Sequence, residues 1–219
     1  MLAGKLYDLF GADVSPPTLV LASQSPRRRE LLAEAGYHFT VMPPAEDVEC
    51  GVCSESGPAG LVAELALRKA AAIVRQLQQE SSSPDAGPKT SPAPVVLAAD
   101  TVAECDGFIL GKPRDEAHAR AMLQQLSGRE HRVLTGVCLW PLNAAQPQTR
   151  VADTRLRMDP LTEVQLDEYL AGGQWEGKAG AFGYQDRLGW VHVVDGSDSN
   201  VVGLPMELLA EMIMELRLD

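Results

Sequence analysis

The sequence predicts an α/β fold, and three observations carry that expectation. Apolar runs of strand length alternate with segments of helical period. The first such run passes directly into residues that start a helix. The 219 residues are 45% hydrophobic and 22% charged, enough to bury a sizeable core as one large domain or two small lobes.

The run Thr18-Leu19-Val20-Leu21-Ala22 predicts a buried strand. Ser25 can cap the helix Pro26 to Ala35, and Pro26 suits its first turn, where no backbone N–H is needed. Arg27, Arg28 and Arg29 therefore stand at a helix N-terminus, which already carries partial positive charge and free N–H donors. Guanidinium groups there either share an anion, phosphate being the natural candidate, or form a solvated basic face.

A short strand is expected near His38 to Met42, then a long helix from Ala59 to Gln79 with Leu61, Leu65, Ala72 and Leu77 on its apolar side. Ser81 to Pro94 has neither period nor bulk and predicts a mobile surface loop at about residues 81–94, within a single domain spanning residues 1–219.

Val95 to Val102 is apolar enough to be a strand covered on both faces, so Asp100 and Thr101 in its course are costly to bury unless they bind something. Asp100 becomes the leading functional carboxylate. Asp106-Gly107 suits a two-residue hairpin turn that folds Phe108-Ile109-Leu110 back and brings Lys112 to the side of Asp100. The two would face one cavity or form an ion pair that fixes register. Gly107 to Lys112 is not a phosphate-binding P-loop, because three residues separate its glycines where four are needed and Pro113 follows the lysine.

Glycines cluster again from Gly173 to Gly183, and Gly196 and Gly203 follow. They bring backbone close to a ligand or punctuate turns, while Gln185 offers a base edge both donor and acceptor or is a surface amide. Leu204 to Leu216 predicts a terminal amphipathic helix.

Composition removes several alternatives. Nineteen Lys plus Arg against thirty Asp plus Glu give a formal charge of −11, which repels long nucleic acid but permits a small anion in a local basic pocket. No stretch has the length of a membrane span, and Met1 to Lys5 lacks a signal-peptide core, so a cytoplasmic protein is expected. Cys50 and Cys53 lack the strand-and-helix context of a redox pair, while Cys105 and Cys138 sit in apolar runs as small buried thiols. His38, His118, His131 and His192 lack zinc-protease spacing, and there is no Gly-x-Ser-x-Gly elbow.

From Thr18 to the last helix the chain resembles the Maf family of nucleoside triphosphate pyrophosphatases. The resemblance rests on Leu-Ala-Ser-Gln-Ser-Pro-Arg-Arg, Ala-Asp-Thr-Val, Gly-Lys-Pro-Arg-Asp, Met122-Leu123 with Leu126-Ser127-Gly128, His131 with Thr135-Gly136-Val137, Lys-Ala-Gly-Ala-Phe-Gly-Tyr-Gln and Val-Val-Gly-Leu-Pro, in matching order. It implies an elongated Maf/ITPase-like fold with a central mixed sheet, flanking helices and a cleft between two lobes, commonly a homodimer. The implied reaction is hydrolysis of a nucleoside triphosphate to the monophosphate and pyrophosphate, assisted by a divalent cation, Mg or Mn.

By the same resemblance Asp100 corresponds to the general base and a metal-binding carboxylate, Arg27, Thr101 and Gln185 to substrate choice, and Arg28, Lys69 and Lys112 to the phosphate-binding cleft. The glutamine segment favours dTTP and UTP. The resemblance leaves room for the same reaction on 7-methyl-GTP or another modified nucleotide, as in pool cleaning, and for a nucleotide-binding regulator of septum formation. A carboxylate held opposite a lysine favours an enzyme. Tyr184 stands where an aliphatic residue is usual and Asp186 where glycine is usual. The acidic residue expected after the second strand is one of Glu46, Asp47 and Glu49.

Overall fold

The computed structural model describes residues 17–45, 48, 56–81, 93–186 and 189–216. Most of the expected loop at 81–94 lies outside the described residues, as do Glu46, Asp47, Glu49, Cys50 and Cys53.

The first strand, β1 (Leu19–Leu21), is wholly buried and leads into α1 (Pro26–Glu34). Ser25 caps that helix by accepting the Arg28 backbone N–H, and Pro26 occupies its first turn, as expected. Next come β2 (Phe39–Val41) and α2 (Gly57–Ser81), then β3 (Val95–Cys105) and β4 (Phe108–Leu110). Asp106 and Gly107 form the β3–β4 turn with φ of 53° and 83°, the paired positive values that a tight hairpin demands. The chain continues through α3 (Glu116–Leu126), β5 (Glu130–Pro141), β6 (Gln148–Met158) and α4 (Glu163–Ala171). It ends with β7 (Val191–Asp195), α5 (Asp198–Val202) and α6 (Met206–Glu215). The last helix starts after Pro205 rather than at Leu204, since proline suits the position before the first helical turn.

These strands form one mixed sheet in the order β2-β1-β3-β5-β6-β7, with β4 paired to β3. β1 runs parallel to β2 and β3, and every other pairing is antiparallel. The sheet is covered on both faces. On one, α2 packs Ala66, Ala70, Ile73 and Val74 against Val20, Val96, Ala98 and Cys138, and packs Val62 against Val102 and Leu134. The apolar side expected for α2 is met in part: Leu65 is buried and Leu61 and Leu77 pack half-buried against the core, while the Val62–Ala66–Ala70–Ile73 face lies deepest against the sheet. Gly136 lets the helix come close. A Cβ there would stand 2.2 Å from the Val62 carbonyl oxygen, so any side chain would push α2 off β5.

The opposite face holds two clusters. One joins Leu19, Leu21, Leu97, Ala99 and Val137 to α1 and α6, and the other joins Ala103, Cys105, Val133 and Leu156 to α3 and α4. Each large aliphatic side chain so buried contributes about 1.5–3 kcal/mol. Cys105 and Cys138 are free buried thiols, as expected, and burial pushes both thiol pKa values up. Among the described residues no helix is long and apolar enough to cross a membrane.

Candidate active site

The site forms where β3 loses a neighbour. One edge of β3 is paired with β5 from Val95 to Glu104. The other is paired with β1 at Val95 to Leu97 and with β4 at Ala103 to Cys105, so among the described residues Ala98 to Val102 have no partner strand on that side. Asp100 and Thr101 occupy this opening and are the only residues of β3 that are not fully buried.

Successive strand residues point to opposite faces, so Asp100 turns towards α2 and Thr101 towards α1 and α5. Lys69 of α2 places its Nζ 2.5 Å from Asp100 Oδ1, with side chains 8% and 13% exposed. Gly136 lies directly across from Asp100 in the sheet, so the close approach of α2 helps bring this lysine within reach. Of the two arrangements left open for Asp100 and Lys112, the ion pair that fixes register is not the one formed. Lys112, two residues past β4, is exposed, and the acid takes its counter-charge from α2.

On the other face Arg28 is buried and bridges three parts of the chain. Its Nε donates to the Gly203 carbonyl (2.8 Å), Nη1 to Ser23 Oγ (3.1 Å) and Nη2 to Thr101 Oγ1 (3.1 Å). The first and last quoted motifs are thus joined through β3. Thr101 Oγ1 also lies 2.9 Å from the hydroxyl of Thr135, its cross-strand partner. The three consecutive arginines diverge by helical geometry: Arg28 is buried, Arg27 half-buried and Arg29 exposed. Arg27 projects its charge towards Tyr169 and Lys178, and Leu31, one turn further along α1, lines a cleft.

That cleft has a volume of about 550 Å³ and is walled by Tyr169, Phe182, Tyr184 and Trp190, with Gln185 and Asp198 supplying polar groups. Gln185 is exposed there and has no hydrogen-bond partner among the described residues, which leaves its amide available. Tyr184 Oη donates to Asp198 Oδ1 (3.1 Å), and the Tyr169 and Trp190 rings meet edge-on at 5.5 Å. The loop bearing Gln185 folds as two short 3-10 turns, Ala179–Ala181 and Tyr184–Asp186. Its Gly180 N–H donates to the Gly111 carbonyl (3.0 Å), which ties it to the chain just before Lys112.

Sequence reasoning missed three parts of this arrangement. The aromatic walls Tyr169 and Trp190 lie outside every motif of the sequence. Lys178 and Asp186, at the two ends of the Gln185 loop, form a largely buried ion pair, and their opposite charges flanking a glycine-rich stretch are a signal in the sequence. Asn200, fully buried, donates from Nδ2 to the Val133 carbonyl (3.0 Å) and Thr154 Oγ1 (2.9 Å), holding α5 against the sheet.

A family model described as Maf-like protein matches residues 18–216. The chain belongs to the Maf-like family. It is 50% identical over 200 residues to a dTTP/UTP pyrophosphatase of Rhodopirellula baltica, covering 91% of this chain and 82% of that one. It is 40% identical over 198 residues to a dTTP/UTP pyrophosphatase of Symbiobacterium thermophilum, covering 90% of this chain and 93% of the relative. Among solved structures, the Ham1 protein of Staphylococcus aureus aligns with a TM-score of 0.41 at 15% identity, over 64% of this chain and 71% of that one. Of the Maf-like motifs, those bearing Arg28, Asp100-Thr101 and Gly203 meet at the β3 opening and the one bearing Gln185 lines the aromatic cleft, whereas Met122, Leu123 and Leu126 pack in the core.

Proposed function

We propose that this Maf-like chain is a nucleoside triphosphate pyrophosphatase that hydrolyses dTTP and UTP to the monophosphate and pyrophosphate. One observation carries the chemistry: Asp100 stands in the opening of the sheet with one oxygen on Lys69. A protein that only bound nucleotide would have no use for a carboxylate so placed. The 50% identical relative, named dTTP/UTP pyrophosphatase, supports the substrate class.

Attack of water on the α-phosphorus needs a proton acceptor and neutralisation of charge on the triphosphate. Asp100 orients the water and takes its proton, while Lys69 fixes the carboxylate. Arg27 and Lys112 meet the phosphates from the two sides of the opening. Arg28, with its donors engaged by Ser23, Thr101 and Gly203, holds the α1 end and β3 in register. Gln185 offers a carbonyl and an N–H donor to a uracil-type edge within the aromatic cleft.

Among the described residues no cluster of three or more His, Cys, Asp or Glu could hold a metal by itself, so in this reading a hard divalent cation, Mg or Mn, would be held by Asp100 together with the substrate phosphates, as such ions commonly are. Asp100 has a second oxygen to offer, and a bound cation would supply further charge neutralisation at the phosphates. The protein acts in the cytoplasm as a homodimer in this reading, and sedimentation of the purified chain tests the dimer.

The test is pyrophosphate release across a panel of dTTP, UTP, GTP, ATP and 7-methyl-GTP, with wild type and Gln185→Ala. The wild type should favour dTTP and UTP, and the substitution should narrow that advantage, since leaving a base's polar groups unpaired costs about 1–3 kcal/mol. A panel led by 7-methyl-GTP overturns the base assignment. Release of orthophosphate instead of pyrophosphate overturns the reaction.

A further inference from the structure

The Gln185 loop is strained and tightly held. Gly180 and Ala181 both adopt positive φ, 68° and 62°, and for alanine this is a sparsely populated conformation that persists only where the surroundings impose it. The restraint lies at the loop's ends. Lys178 Nζ donates to Asp186 Oδ1 at 2.6 Å and to Oδ2, and Tyr169 Oη of α4 donates to the same Oδ2 at 3.0 Å. The lysine and aspartate side chains are 9% and 15% exposed.

The pair lies directly over Gly183. A Cβ at that position would stand 2.4 Å from both Asp186 Oδ2 and Lys178 Nζ, so a side chain there would have to displace the ends of the ion pair, and glycine leaves the pair its room. Asp186 thus closes the chain from Lys178 into a ring that contains Phe182, Tyr184 and Gln185, all of which line the cleft. Burial lowers the Lys178 pKa, and hydrogen bonding to Asp186 opposes that shift. The ammonium is consumed in holding the loop. This Asp186 stands where the resemblance leads one to expect glycine, so the lock belongs to this chain's own residues.

We infer that Asp186 is a positioning residue for nucleobase selection: by tying Lys178 to Tyr169 it fixes the loop so that the adjacent Gln185 presents its amide to the base. The inference rests on the pyrimidine reading of the cleft. Its mechanism is geometric, because Gln185 discriminates only if its carbonyl and N–H meet the base edge in register, and small misplacements of such groups cost much of their effect.

The test compares kcat and KM for UTP and GTP in wild type, Asp186→Asn and Tyr169→Phe, together with binding of the α,β-methylene analogues of both nucleotides. Asp186→Asn should raise KM for UTP more than it lowers kcat, and the UTP-to-GTP ratio of kcat/KM should fall by about tenfold. The analogue binding ratio should fall in parallel. Tyr169→Phe, which removes one hydrogen bond and keeps the ion pair, should shift the ratio in the same direction by less, and it serves if Asp186→Asn does not fold. A purely structural role would depress both nucleotides equally through a smaller active fraction and leave the ratio unmoved. An unchanged ratio in the variants beside a wild type that prefers UTP overturns this inference alone, whereas a wild type with no pyrimidine preference overturns both it and the substrate reading.

Discussion

Replacing Asp100 by Asn separates the two tasks of this carboxylate, and the structure sets the size of both effects. Lys69 Nζ lies 2.5 Å from Asp100 Oδ1, and the two side chains are 8% and 13% exposed. Truncating one member of a buried pair costs about 3–5 kcal/mol. Asparagine keeps an oxygen that can accept from the ammonium, and a hydrogen bond to a charged group restores roughly 1.5–3 kcal/mol of that. The net destabilisation should be about 2 kcal/mol, read as a shift in the urea midpoint at unchanged slope. Turnover should fall much further, by ~10²-fold or more, since the amide can neither take a proton nor offer an anionic oxygen to a cation. Pyrophosphate release at saturating cation measures this on protein shown to be folded. The double variant Lys69→Met/Asp100→Asn removes the ammonium as well and should remain inactive. Near wild-type turnover in Asp100→Asn at saturating cation would refute the assignment of Asp100 as base.

The other perturbations probe the phosphate sites and the core. Arg27→Ala and Lys112→Ala should each lower kcat/KM for triphosphates while leaving affinity for the nucleosides nearly unchanged, measured by kinetics and calorimetry; equal losses for both ligands would assign these residues to the base or to folding. His131, 3% exposed and edge-on to Phe182 at 5.2 Å, has its pKa pushed down to about 4, chiefly by burial. Its folded pKa lies below the unfolded value near 6.5, so its contribution is fully present above that pH and is lost as pH falls towards 4, about 3 kcal/mol in all. His131→Phe should flatten that part of the stability profile, and an equally steep acid loss in the variant would place the titration elsewhere.

The local parts of the fold were legible because local chemistry decides them. Ser25 and Pro26 start α1, and Asp106-Gly107 makes the hairpin, from residue type alone. The partner of Asp100 was not legible, because it depends on the rotation of α2. That helix carries small apolar residues on several sides, so its period does not single out one face, and the buried face includes a lysine that hydropathy assigns to solvent. The three arginines look alike in sequence, yet helical geometry makes Arg28 a buried strut and Arg29 a surface residue. The partners of Thr135, Thr154 and Asn200 were not legible, since the bonds of a buried polar residue are recognisable only once its neighbours are in place.

The positions of these polar groups explain why the site lies at the middle of β3. On the α2 face, the Lys69–Asp100 pair falls between the cluster around Val96 and Ala98 and the cluster around Val102. On the other face, Thr101 and Thr135 fall between the cluster ending at Ala99 and the cluster beginning at Ala103. Apolar packing is thus interrupted at the same level on both faces, where β3 also lacks a neighbouring strand among the described residues. A polar seam through a sheet is unstable unless each group finds a partner, and here the partners come from elements distant in sequence: α2 for Asp100, and α1 with the α5–α6 connection for Thr101. The contacts that stabilise the seam also orient the carboxylate and the Arg28 strut before any substrate arrives. Under the proposed reaction the same interactions serve both folding and turnover, and a substitution at Lys69 or Arg28 is expected to change both.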